Sequence, residues 1–284
     1  MDERVERSRL LYERALLYGD AGALTVAEQE LDAAEADLAL ARGRVIHGRF
    51  LEQRNQNPEQ ASGDPQELTC FERAAQLYQA HGDVRGEAES LFWVGCFHQV
   101  VRRDNDTAVP VLERSLDLAA QAGDQMTMSE ALRHLGIAAH AAGRLNAARQ
   151  HLEESVRLRR EIGFLPGVAS NLVGLTYIAA GQGRQDDALA LIGEAGAIAE
   201  ASGAHGIMRQ VEEARAAVTG DLSLSPGGRA SRAGTWALAR LACLLAAYRV
   251  IAMATGELPT LIARSAWPAA MEIGVTVPEP LLTT

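Results

Sequence analysis

Among the polar side chains of this 284-residue chain, a small set stands at matched intervals. His47 and His140 hold equivalent places relative to Gly43 and Gly136, and Gln99 holds the same place after Gly95. Arg133 and Asn171 each lie three residues before a glycine, Gly136 and Gly174. Imidazole and amide groups in a column could hydrogen-bond an extended peptide or a small acid. A guanidinium beside an amide could grip one carboxylate, since guanidinium meets carboxylate through two parallel N–H donors. Residues three before, one after and four after a helical position share one stripe. Besides those five, the stripe and the turn before it carry Arg44, Glu89, Phe92 and Glu130.

Other chemistry is excluded. The chain has no lysine, and its 27 basic residues are all arginine. That removes the phosphate-binding P-loop and every Schiff-base site, both of which need lysine. No GxSxG elbow occurs, and no cysteine–histidine pair has a recognisable local signature. Ligand spacing for a metal is absent as well: His134 and His140 are six apart and face different ways on a helix. No catalytic residue, cofactor or metal is expected, and a non-enzymatic role follows.

The net charge of −10 is unevenly spread. Residues 1–220 hold 33 acids against 22 arginines, whereas 221–284 hold 4 against 5. An acidic body lacks the clustered basic footprint that nucleic-acid binding needs. The run "RLRREIG" (157–163) has glutamates nearby, and it reads as a solvated, ion-paired face. Cys70, Cys96 and Cys243 form no disulfide pattern, and the charged N-terminus has no apolar leader run; a cytoplasmic location is the expectation.

A fixed period positions these groups. Gly82, Gly123, Gly163 and Gly203 follow helical stretches at spacings of 41, 40 and 40, where a helix must stop. A second series, Gly95, Gly136 and Gly174, runs out of phase with the first. After each member comes a small–large–small pattern: Ala108, Leu112, Ser115; Ala148, Leu152, Ser155; Ala188, Ile192, Ala195. Leu132, Leu135, Gly136 and Ala139 share one helix face, and small residues on facing stripes let two helices approach closely. Two offset series with one period define a two-helix unit that must stack to bury its apolar face.

The pattern resembles the tetratricopeptide repeat, in the roughly 40-residue form common in bacterial regulatory proteins, and is similar to uncharacterised tetratricopeptide proteins of actinobacteria. The resemblance is carried by Leu91, Val94, Gly95, Ala108, Leu112 and Ser115, by Leu132, Leu135, Gly136, Ala148, Leu152 and Ser155, and by Val173, Gly174, Tyr177, Ala188, Ile192 and Ala195. It covers about residues 64–219, with an earlier unit upstream that carries the long insertion "RNQNPEQASGDPQE". What it implies is an all-α fold, a right-handed superhelical α-solenoid of antiparallel helix pairs over residues 1–219. It also implies that the polar stripe lines a concave groove. The partner-binding set is then Arg44, His47, Glu89, Phe92, Gln99, Glu130, Arg133, His140 and Asn171. Such a protein would be an interaction scaffold that takes a partner peptide or helix, in transcriptional or signalling regulation. A small-molecule sensor or enzyme with a polar pocket inside the superhelix is the alternative. Trp93 reads as packing between units. Residues 220–284 read as a Gly/Ser/Pro linker followed by an apolar helix, 236–256, whose Arg240 and Arg249 favour a capping role over a membrane span.

Overall fold

A computed structural model describes residues 2–57 and 60–220. The linker and apolar helix expected beyond Gly220 lie outside the described residues. Ten helices, and no strand, make up the described chain: α1 (Glu3–Tyr18), α2 (Ala23–Gln56), α3 (Pro65–His81), α4 (Val84–Val100), α5 (Asn105–Ala122), α6 (Gln125–Ala141), α7 (Leu145–Glu161), α8 (Leu165–Gly181), α9 (Gln185–Ala201) and α10 (His205–Thr219). Each packs on its sequence neighbours, and α2 with α4, α4 with α6 and α8 with α10 also make lighter contacts. The fold is an all-α solenoid. Four helix pairs, α2–α3, α4–α5, α6–α7 and α8–α9, form its repeats, with α1 before and α10 after.

The two glycine series do different work. Gly82, Gly123, Gly163 and Gly203 have φ between 65° and 72°, the left-handed conformation that ends a helix without a Cβ penalty. Gly95 and Gly136 lie inside helices and let the second helix of their unit close in. A Cβ at Gly95 would sit 2.7 Å from Leu112, and one at Gly136 would sit 3.1 Å from Leu152. Gly43 does the same against Phe71, at 2.4 Å, in the first unit. Gly174 differs: its neighbour is Leu152 of the preceding unit, at 3.0 Å. The small residues on the second helices have two uses. Ala108, Ala148 and Ala188 are fully buried contact points. Ser115 and Ser155 also donate hydrogen bonds across their pair, to Ala88 O at 2.7 Å and to Ser129 O at 2.5 Å.

Helix starts change along the array. Asp64, Asp83, Asp104 and Asp124 each cap α3 to α6, accepting from a backbone N–H two or three residues on. Arg144, Phe164, Arg184 and Ala204 stand at the same place before α7 to α10 and make no such bond. The insertion in the first unit is shorter than expected: Arg54–Gln56 complete α2 and Pro65–Glu67 begin α3. The α8–α9 turn, residues 182–184, matches the length of the α6–α7 turn, residues 142–144. The α4–α5 link is one residue longer, and there Arg103 takes the left-handed position (φ 58°).

Candidate functional site

The first helices of the units, α2, α4, α6 and α8, carry all nine predicted site residues. These residues link each helix to the next. Arg44 of α2 forms an ion pair with Glu89 of α4 and lies over the Trp93 ring at 5.8 Å. Gln99 of α4 accepts from His134 Nδ1 of α6 at 2.6 Å and donates to the His134 carbonyl at 3.0 Å. Phe92 meets the His134 ring edge-on at 5.3 Å. Arg133 of α6 donates to Asn171 Oδ1 of α8 at 2.7 Å. The result is a polar seam that runs through the array.

The seam corrects the expectation that all nine line an open groove. His47, Phe92, Gln99 and Asn171 are buried, because the stripe turns against the next unit where the first helices meet. Arg44, Glu89, Glu130, Arg133 and His140 keep part of their surface open. His140 has no side-chain partner among the described residues, and burial pulls its pKa down. His134, which the candidate set omitted, is buried, and its pKa falls to about 3 through burial and the neighbouring Arg133 charge; it is a neutral ring. Trp93 packs as expected, stacked on Phe71 with ring centres 5.5 Å apart and edge-on to His47.

Two clusters around the seam escape sequence reasoning. In the first, His47 Nδ1 donates to Glu67 Oε1 at 2.7 Å, and the Cys96 thiol faces His47 Nε2 at 3.8 Å. The three residues come from α2, α3 and α4, and no local spacing could join them. Burial, aided by the Glu67 charge, pushes the Cys96 thiol up, so it is a neutral donor and no activated nucleophile. Glu67 Oε2 has no partner among the described residues.

The second cluster centres on Arg159 of α7, 2% exposed. The stretch 157–163 is therefore only partly the solvated face it resembles. Arg157 pairs with Glu154 and Glu161, and Arg160 pairs with Glu194, all exposed, but Arg159 points inward. Its guanidinium pairs with Glu130 at 2.7 Å and donates to Gly167 O at 2.9 Å and Asn171 Oδ1 at 3.2 Å. Asn171 Nδ2 in turn donates to Ser155 Oγ at 2.7 Å. One amide oxygen thus serves two guanidiniums, Arg133 and Arg159, while one carboxylate, Glu130, faces them. No carboxylate among the described residues lies within ion-pair distance of Arg133. Burial and the like charge of Arg159 pull the Arg133 pKa down. This corner carries one unmatched positive charge.

A cleft of about 610 Å³ lies elsewhere, between the second helices α7 and α9. Leu172 and Leu175 form its floor, and Arg149, Arg160, Asp187 and Glu194 belong to its rim. None of the nine residues lines it. No group of three or more His, Cys, Asp or Glu among the described residues could hold a metal ion. No helix among them is long and apolar enough to cross a membrane.

Residues 97–161, from the end of α4 through α7, match the tetratricopeptide repeat family model. That stretch is a tetratricopeptide repeat segment, and such repeats generally mediate protein–protein interaction. No curated protein matches the chain.

Proposed function

We propose that the chain is an interaction scaffold that holds a partner peptide against the first-helix face, with a carboxylate of that peptide meeting Arg133. The observation that carries this is the unmatched charge: a partly buried guanidinium, anchored by Asn171 Oδ1 at 2.7 Å and left without an acidic partner among the described residues. A desolvated cation of this kind binds an incoming carboxylate more strongly than an exposed one does. Asn171 is itself held by Ser155 and shared with Arg159, so Arg133 is pre-oriented. His140, two helical turns further along α6, supplies a neutral group for a peptide amide. The surrounding Arg44–Glu89 pair, with Trp93 beneath it, extends the face towards α2. A role in bacterial regulation fits this style of repeat, with the partner supplying any output.

The test is a peptide array carrying acidic sequences with free or amidated C-termini. Arg133→Gln should weaken binding about ten- to a hundredfold, the worth of a charged hydrogen bond. Amidation or removal of the acidic side chain should cost wild type the same and cost the variant little. Binding indifferent to both changes would overturn the proposal.

A further inference from the structure

α2 is 34 residues long, twice the 17 or 18 of the other repeat helices. Its inward face, with Ala36, Leu40, Gly43, His47 and Phe50, packs into the first unit. On another face, Leu24, Leu31, Leu38 and Val45 recur at intervals of seven. They are 47%, 45%, 59% and 55% exposed. Three residues after each stands a small one: Ala27, Ala34, Ala41 and Gly48. Ala27 is covered by α1, Ala41 and Gly48 are exposed, and a Cβ at Gly48 would meet open space. The first helix adds Tyr12 to a shallow cleft of about 390 Å³ that it forms with Leu24, Ala27 and Leu31. Eleven of the fourteen exposed large apolar residues among those described fall between Val5 and Val45.

A repeat of seven does not match the 3.6-residue turn of a straight helix. It is the period that keeps one stripe facing a partner helix along a coiled coil. Small residues at the alternate positions let that partner come close. From Leu24 to Val45 the stripe spans about 30 Å, at 1.5 Å per residue. Within the described chain α1 covers Ala27 and borders Leu24 and Leu31, while Leu38, Ala41, Val45 and Gly48 stay exposed.

The flanking charges select the occupant. Four residues after each stripe position stand Glu28, Glu35, Arg42 and Arg49: acidic in the first half of the stripe, basic in the second. Glu35 is already bonded to Arg73 of α3. Glu28, Arg42 and Arg49 are exposed and form no ion pair among the described residues. In an antiparallel pair of identical helices these flanking positions face their own kind from opposite ends, so acid meets base. A parallel pair would set these positions against those on the other flank of the seam, with Glu30 near Glu35 and Arg44 near Arg49. We infer that residues 24–48 of α2 pair antiparallel with the same segment of a second copy, in a two-fold interface in which each copy offers the same patch. This interface is independent of the peptide-binding face.

The test is the mass of the full chain in solution, by light scattering or sedimentation across the micromolar range. Wild type should run as a dimer. Leu31→Glu with Leu38→Glu should give a monomer of unchanged helical circular dichroism, since both side chains are exposed in the folded chain. Glu28→Arg alone, or Arg49→Glu alone, should raise the dimer dissociation constant at least tenfold, and the two together should restore it. A monomeric wild type overturns the inference, including the case in which residues beyond Gly220 cover the stripe. So does a dimer indifferent to the two leucine changes. A double charge variant weaker than either single change would overturn the antiparallel arrangement.

Discussion

His134 shows what burial does to one titratable group. Its ring is enclosed by Phe92, Gln99 and the Arg133 charge, and its pKa of about 3 lies well below the ordinary 6.5. The folded chain therefore keeps it neutral where the unfolded chain protonates it. Stability tied to this group is intact above pH 6.5 and is lost as pH falls towards 3; by pH 4.5 the loss is about 2–3 kcal/mol. The melting temperature should drop over that window, and His134→Gln, which keeps a hydrogen-bonding amide, should flatten the drop. An equally steep decline in the variant would show that other groups carry it. Glycines differ just as sharply by place. Gly95→Ala would push a methyl to within 2.7 Å of Leu112 and should cost about 1–3 kcal/mol in urea unfolding. Gly193→Ala, in α9 with nothing within 4 Å, should stabilise by about 0.5–1 kcal/mol.

At the scale of the helix, the caps divide the array. The starts of α3 to α6 are each held by an aspartate, and those of α7 to α10 are not. Ala204 has backbone angles (φ −81°, ψ 70°) close to those of the capping Asp124 (φ −85°, ψ 86°). Ala204→Asp should therefore add about 1 kcal/mol, read from the chemical denaturation midpoint. If the midpoint does not move, α10 is not part of the cooperative unit. Arg159 ties three helices through Glu130, Gly167 and Asn171. Removing a buried, fully bonded charge strands its partners, so Arg159→Met should cost about 3 kcal/mol or more. It should also weaken peptide binding, because Asn171 loses its second guanidinium.

Across the whole molecule, what the sequence disclosed follows from which constraints leave a local mark. A helix that must stop in the left-handed conformation accepts little but glycine, so Gly82, Gly123, Gly163 and Gly203 stand out. Close approach of paired helices marks Gly95 and Gly136 in the same way. Side-chain chemistry built across helices leaves no such trace. His47, Glu67 and Cys96 span 49 positions, and Ser155 reads as a spacer until its hydroxyl is seen donating to Ser129 O. Arg159 sits among exposed arginines, and composition alone gives the inward one no sign. The polar stripe was legible as a stripe. Its burial was not, because that depends on how far each unit turns against the next.

The order of contacts also bears on how the chain is made. Each helix packs chiefly on helices one or two places along the sequence. No part of the array waits for a distant segment before it can close. As the polypeptide leaves the ribosome, α1, α2 and α3 can assemble while α8 is still untranslated, and later pairs add onto a finished surface. Local closure of this kind is fast. It also means that a stalled or shortened nascent chain would already hold folded repeats.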